Sequence, residues 1–131
     1  MTLEEGKRGV WAIEEDMLDE LPAADVLERG PRRVMSNQVE ACRDGGYRWQ
    51  GTAWAEVVED FDRRAFIARV TRSWASREDW RGNAWEKPLY AMLYREDGYT
   101  VSILFWDRTE FTMYTWTPCV DIPDYRRYQE Y

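Results

Sequence analysis

The sequence predicts an α+β domain: a four- to five-stranded, mainly antiparallel sheet that carries two main helices, packed chiefly on one face. Two stretches place apolar residues at helical spacing, and the C-terminal third contains three alternating runs separated by tight turns. The chain has 131 residues, enough for one domain, and its 15% aromatic content favours a core built on rings. We place the domain at residues 10–120, between a flexible N-terminus (1–9) and a polar C-terminal tail (121–131).

In the first stretch, Val10 to Glu28, apolar residues recur at near-helical spacing among acidic ones, which predicts a helix and then a short second turn from Ala23 to Leu27. Pro22 should end or kink this helix at the preceding residue, because proline cannot donate the helical hydrogen bond. Gly30-Pro31 should stop the short turn that follows.

The early strands are predicted around one turn. A mixed pattern from Arg32 to Cys42 permits a first strand, and Asp44-Gly45-Gly46 is a strong turn signal. Residues 47–57 then alternate like a strand, with an interruption at Gly51 that indicates a β-bulge.

The second helix begins at Asp60 or Asp62, either of which can cap it, and runs to about Arg77. Its inward stripe is spaced for one helical face and consists of Phe66, Ile67, Val70 and Trp74. A loop is predicted from Glu78 to Glu86.

A three-stranded meander follows, with strands at Leu89–Arg95, Tyr99–Trp106 and Phe111–Thr117. The first two strands flank Glu96-Asp97-Gly98, and Asp-Gly is a favoured hairpin centre because both residues tolerate positive φ. If the odd-numbered residues of the middle strand face the helices, Leu104 and Trp106 lie on the opposite face. We expect another element to cover that face; left bare, it would mark a partner or ligand surface.

Charge excludes one class of partner. The net charge of -7 and the pI near 4.7 argue against nucleic acid, which is bound through clustered Lys and Arg. No apolar run approaches the roughly 18–20 residues of a membrane span, and the first residues contain no apolar segment typical of a signal peptide. The chain is therefore expected to be cytosolic, or to be a mature domain without its leader.

The two cysteines, Cys42 and Cys119, lie near the two ends of the predicted domain. They could form a structural disulfide between the ends of the first and last strands, or remain two buried free thiols as in reduced cytosol. Metal binding is not expected, because the chain has no histidine and no CxxC spacing.

The sequence contains no motif for catalysis or cofactor binding. Histidine, the commonest general base near neutral pH, is absent. Carboxylate pairs such as Glu14/Asp16 and Glu59/Asp62 are almost inevitable among 25 acidic residues. We therefore expect a non-enzymatic protein without a cofactor.

Aromatic residues are the candidate binding groups, because Trp, Tyr and Arg dominate interface hot spots. The predicted loop carries Trp80 and Trp85, two large rings in a turn-rich segment. The remaining candidates lie on predicted strands: Trp106 and Trp116 first, then Trp49 and Trp54.

The order of these features resembles the LppA-like lipoproteins of mycobacteria and related actinobacteria. The resemblance is carried by Ala41-Cys42-Arg43-Asp44-Gly45-Gly46-Tyr47-Arg48-Trp49, by the helix and meander that follow, and by Thr115-Trp116-Thr117-Pro118-Cys119-Val120. It covers roughly residues 10–120. It implies a lipid-anchored domain outside the cytoplasmic membrane with one disulfide, Cys42–Cys119, and it brings no activity.

The expected function is non-catalytic binding of an unknown ligand or protein partner at the cell envelope, with membrane attachment only through a lipid anchor. The alternative is an acidic immunity or inhibitor protein that neutralises a basic toxin or effector, and it fits a cytoplasmic chain whose native start is Met1. Its candidate contacts are acidic residues of the first predicted helix: Glu14, Glu15, Asp16, Asp19, Glu20 and Asp25.

Overall fold

The computed structural model describes residues 1–29, 38–127, 129 and 131, which fold as an α+β domain. The elements are α1 (Leu3–Leu18), a 3-10 turn (Ala23–Asp25), β1 (Val26–Arg29), β2 (Val39–Ala41), β3 (Tyr47–Val57), α2 (Arg63–Ala75), β4 (Trp80–Glu86), β5 (Leu89–Arg95), β6 (Thr100–Phe105) and β7 (Glu110–Trp116). The predicted fold class is confirmed. Residues 32–37 of the first predicted strand lie outside the described residues.

All seven strands join one antiparallel sheet in the order β1-β3-β7-β6-β5-β4, and β2 also pairs with β3. The prediction of four to five strands was too low, because β1 overlaps the short turn predicted from Ala23 to Leu27 and β4 lies in the predicted loop Glu78–Glu86. Both are edge strands with mostly exposed side chains, which blurs the alternation of buried and exposed residues. The C-terminal meander therefore has four strands, β4 to β7.

Helix α1 starts at Leu3, so the boundary predicted at Val10 was wrong and most of residues 1–9 belong to the helix. Thr2 caps it: its hydroxyl accepts a hydrogen bond from the Glu5 N–H at 3.2 Å, and the Glu5 carboxylate accepts one from the Thr2 N–H at 3.3 Å. This capping box satisfies two N–H groups that a helix start leaves without partners. The helix ends at Leu18, before Pro22.

Strand β3 runs without a bulge, contrary to the prediction at Gly51. Its register with β7 is continuous, and Gly51 pairs with Thr115. A Cβ at Gly51 would lie 2.6 Å from Val10 Cγ1, so glycine here allows α1 to approach the strand. The register shift of this sheet instead lies in β1, between Val26 and Glu28.

Both helices pack on the same face of the sheet: α1 against β3 and β7, and α2 against β4, β5 and β6. Between helices and sheet lies a core of aliphatic side chains and aromatic rings. Asp62 caps α2 by accepting a hydrogen bond from the Ala65 N–H at 3.0 Å. The predicted inward stripe of α2 is buried, as expected for an amphipathic helix.

The segment after β7 joins the fold, although a tail was predicted from residue 121. Tyr47 and Val120 exchange backbone hydrogen bonds at 2.9 and 2.7 Å, and the Asp121 N–H donates to the Met1 carbonyl at 3.1 Å. Ile122 is buried, and the Tyr125 ring stacks on Tyr47 with centroids 4.2 Å apart. Both chain ends therefore meet at the start of β3.

Within the described ranges, no helix has the length and apolar character needed to cross a membrane.

Candidate binding surface

The sheet has a second face, opposite the helices, defined by the alternation of side chains along each strand. Trp80 contacts Trp74 of α2, Phe105 contacts Phe66 of α2, and Gly51 abuts α1, so these residues mark the covered face. Their sequence neighbours on each strand point the other way. We call that side the open face.

The open face consists of fifteen residues in three rows, each crossing β4, β5, β6, β7 and β3 in that order: Trp85-Tyr90-Leu104-Thr112-Trp54, Asn83-Met92-Ser102-Tyr114-Thr52 and Arg81-Tyr94-Thr100-Trp116-Gln50. Six of the fifteen are Trp or Tyr. Arg81 is the one charged residue among them, in a chain that is 33% charged. These three rows therefore form an aromatic surface with very little charge. Charged residues of the same parity border it, with Glu56 and Glu110 beyond one end and Arg48 beside Trp116 at the other.

Exposure on the open face increases from β3 and β7 toward β4. Thr52 and Thr112 are buried between their neighbours, whereas Trp85 and Tyr94 are each 41% exposed. Trp85 stacks on Tyr90 across the strand pair, with centroids 4.6 Å apart and planes 12° apart. Such offset pairs stabilise a sheet by about 0.5–1.5 kcal/mol beyond area burial. The stack also holds the Trp85 ring upright at the edge of the surface.

Three of the four predicted binding tryptophans lie on or beside the open face. Trp85 and Trp116 belong to it, and Trp106 lies in the β6–β7 turn at its rim, 59% exposed. Trp80 lies on the covered face, 5% exposed, with its centroid 4.9 Å from that of Trp74. The structure therefore does not bring Trp80 and Trp85 together, because successive β4 residues alternate between the two faces.

The two remaining candidate tryptophans from the sequence also lie on opposite faces of the sheet. Trp54 belongs to the open face, whereas Trp49 packs against the core, with Lys7 Nζ 5.0 Å from its centroid. Sequence reasoning missed Tyr90 and Tyr94. These tyrosines alternate with Ala91 and Leu93 along β5, which indicates a strand. Both sets of residues are apolar, so the alternation does not show which set faces the helices.

The predicted parity of β6 is confirmed: Leu104 points away from the helices and Ile103 toward them. We expected another element to cover the face that carries Leu104. Both described helices lie on the other side of the sheet. Trp85, Tyr94 and Trp106 accordingly remain exposed.

Charged groups order the turns that border the open face. Arg95 donates two hydrogen bonds to the Asp97 carboxylate, at 2.8 and 2.9 Å, and this interaction lowers the pKa of Asp97. In the next turn the Asp107 carboxylate accepts hydrogen bonds from the N–H groups of Thr109 and Glu110, at 2.8 and 2.9 Å, which lowers the pKa of Asp107. The second turn supports Trp106.

Cys42 and Cys119 form a disulfide, with their Cα atoms 6.2 Å apart and 77 residues of sequence separation. The bond joins the turn before β3 to the segment after β7. Cys119 is exposed and Cys42 half-buried, so solvent reaches the bond. The alternative of two free thiols is therefore wrong for this structure.

The acidic residues proposed for the inhibitor alternative are largely engaged within the chain. Arg29 reaches both Glu15 and Asp19 at 3.0 Å, and Arg69 reaches Glu20 at 3.1 Å. Glu14 lies on the side of α1 that faces β3 and is buried there. Among the described residues, no cluster of three or more His, Cys, Asp or Glu side chains could hold a metal ion.

No family model matches this chain, and neither curated proteins nor solved structures provide a match.

Proposed function

We propose that this chain is a non-catalytic binding domain that recognises a protein partner through the open face. The observation that carries the proposal is the composition of that face, which has six Trp or Tyr residues and one charged residue among fifteen positions. The surface of a highly charged chain would ordinarily carry many more Lys, Asp and Glu side chains.

The composition matches the known character of protein interfaces. Their central regions are enriched in Trp, Tyr, Met and Arg and depleted in Lys, Glu and Asp. The fifteen positions of the open face contain the first four types and none of the last three, and the pair Glu56 and Glu110 lies in the row that borders them. Its polar remainder consists of Thr, Ser, Asn and Gln, which can hydrogen-bond a partner without the cost of desolvating a full charge.

Trp85 is the best candidate anchor. Its ring is exposed, and the stack on Tyr90 restricts its conformations before any partner arrives. A side chain held in place in advance loses less entropy on binding. Tyr94 and Trp106 supply exposed rings farther along the surface.

Site-specific photo-cross-linking in the native cells tests the proposal. A photoreactive phenylalanine at Tyr94 should yield a discrete protein adduct, whereas the same group at Arg72, exposed on α2, should not. Adding Trp85→Ala should reduce the Tyr94 adduct at least tenfold, as expected for an anchor worth more than about 1.4 kcal/mol. Adducts from Arg72 and none from Tyr94 would contradict the proposal.

We also propose that the domain works outside the cytoplasm, attached by lipid as the resemblance to LppA-like lipoproteins implies. The disulfide supports the compartment, because such bonds persist in oxidising surroundings and are rare in reduced cytosol. Rapid alkylation of cells, followed by mass spectrometry, measures the state of the two cysteines. Alkylation of Cys42 and Cys119 without prior reduction would contradict the extracytoplasmic assignment.

The acidic inhibitor remains the second candidate, and the net charge of -7 favours it. Its contact surface would include exposed Asp16 on α1, since Arg29 already engages both Glu15 and Asp19. The same cross-linking group at Asp16 distinguishes the two functions. A salt-sensitive adduct from Asp16, with none from Tyr94, would favour the inhibitor.

A further inference from the structure

We propose that β4 pairs with β4 of a second copy of this chain, antiparallel about a two-fold axis at Asn83. Strand β4 ends the sheet on the side away from β1, and no strand of the described ranges pairs with its outer side. The inference concerns this edge and does not depend on the proposed partner of the open face.

Hydrogen bonding along β5 shows which backbone groups of β4 point outward. The Glu96 N–H donates to the Asp79 carbonyl at 2.8 Å, while the Arg95 N–H donates to the Tyr99 carbonyl at 2.9 Å. Residues of β5 therefore alternate between β4 and β6, as in any antiparallel ladder. By the β4–β5 register, the N–H and C=O groups of the even-numbered residues Gly82, Ala84 and Glu86 point to the free edge.

The two edges of the sheet differ in how they resist further pairing. Natural sheets block edges with short strands, bulges, Lys or Pro. On the β3 side, β1 has four residues with a register shift, and β2 has three. Strand β4 has seven residues in unbroken register with β5, and its sequence contains neither Lys nor Pro. It is the long, regular edge that pairing requires.

The sequence of β4 is complementary to itself in this register. A two-fold axis at Asn83 includes all seven residues of β4 in the pairing. Each even-numbered residue then pairs with an even-numbered residue of the other copy, so that the N–H and C=O groups at the two free edges meet. Gly82 of one copy then exchanges hydrogen bonds with Ala84 of the other. An axis between two residues is excluded, because it would pair even-numbered residues, whose N–H and C=O groups point to the free edge, with odd-numbered residues, whose groups point to β5.

Side chains on the open face also match across this axis. Arg81 of one copy lies opposite Trp85 of the other, and Tyr90 already covers the inner side of that indole. The guanidinium can therefore stack on the outer side of the ring, which accounts for the exposure of Trp85. Asn83 meets its own counterpart, and each amide can both donate and accept. The open faces of the two copies become one continuous surface.

The mass of the purified full chain, measured by analytical ultracentrifugation over a range of concentrations, tests the proposal. The wild type should form a dimer, and Ala84→Pro should be monomeric, because proline removes an outward donor that β5 does not use. Ala84→Ser is the matched control and should dimerise. Arg81→Ala, which removes both cation–ring contacts, should weaken the dimer about five- to thirtyfold. A monomeric wild type, or a dimer that Ala84→Pro leaves intact, would overturn the proposal.

Engineered cysteines test the register even if the Ala84→Pro variant does not fold. Asn83→Cys should form a disulfide-linked dimer in air, because the axis places residue 83 beside itself. Neither Arg81→Cys nor Trp85→Cys should cross-link alone, but a mixture of the two should. Cross-linking of Arg81→Cys alone, or none with Asn83→Cys, would overturn the register.

Discussion

The two faces of this sheet both carry aromatic rings, and they differ in what those rings contact. On the covered face, Trp80 packs on Trp74 of α2 and Phe105 packs on Phe66 of α2, so these rings are buried beneath a helix. On the open face, Trp85 stacks on Tyr90 of the neighbouring strand and stays 41% exposed. A ring in a strand therefore does not by itself tell which side of the sheet the helices cover.

Loss of the disulfide should lower the stability of the whole domain, and so serves as a reference for the contrasts between the two faces. Replacing Cys42 and Cys119 by Ser should lower the free energy of unfolding by about 4–5 kcal/mol, because the bond closes a loop of 77 residues in the unfolded chain. Urea unfolding of the variant and of the oxidised wild type measures this. A loss below about 1 kcal/mol would mean that the bond adds little constraint.

The sharpest contrast between the faces lies within β6. Ile103→Ala on the covered face should cost about 2–5 kcal/mol, because it opens a cavity in a fully buried site. Leu104→Ala, one residue along on the open face, should cost about 1 kcal/mol, since its side chain is only half-buried. Urea unfolding gives both values, and equal losses would mean that the open face is covered in solution.

A smaller contrast is expected in β4. A Cβ at Gly82 would lie 2.4 Å from Leu93 Cδ2, so Gly82→Ala should cost about 1–3 kcal/mol through overpacking. Asn83→Ala is the neighbouring control on the open face and should change stability by less than about 0.5 kcal/mol. Thermal unfolding of dilute protein compares the two. A neutral Gly82→Ala would show that the Leu93 side chain can move aside to admit a methyl group here.

The smallest effect concerns the turn that supports Trp106. The pKa of Asp107 is lowered in the fold because its carboxylate accepts hydrogen bonds from backbone N–H groups. Its contribution to stability is therefore present above the ordinary Asp pKa and is lost as the pH falls through the lowered value. Asp107→Asn should be less stable than the wild type at neutral pH, and the difference should shrink in acid. A difference independent of pH would contradict this.

Much of the fold could be predicted because its signals are local. The Asp97-Gly98 hairpin and the inward stripe of α2 follow from turn chemistry and from a clear helical period. The start of α1 was also readable, since Thr2 and Glu5 have the spacing of a capping box.

Strand β4 and the open face depend on packing between distant segments. Ala84 and the glycine at position 82 leave β4 without a strong alternating pattern, and the need for a small residue at position 82 follows only from its approach to Leu93 of β5. In β5, Tyr90 and Tyr94 alternate with Ala91 and Leu93, and both sets are apolar, so the sequence does not say which side the helices take. Trp80 and Trp85 are assigned to different faces only once β4 is known to be a strand.

Hydroxyl-radical footprinting of the purified protein, read by mass spectrometry, tests most directly whether the aromatic face is open. We expect rapid oxidation of Tyr94 and Trp106, and strong protection of Trp74 and Trp80 beneath the helices. Trp85 should react faster in the Ala84→Pro variant than in the wild type, because the variant loses the second copy whose Arg81 covers the ring. Protection of Tyr94 and Trp106 to the level of Trp74 would contradict an open binding face.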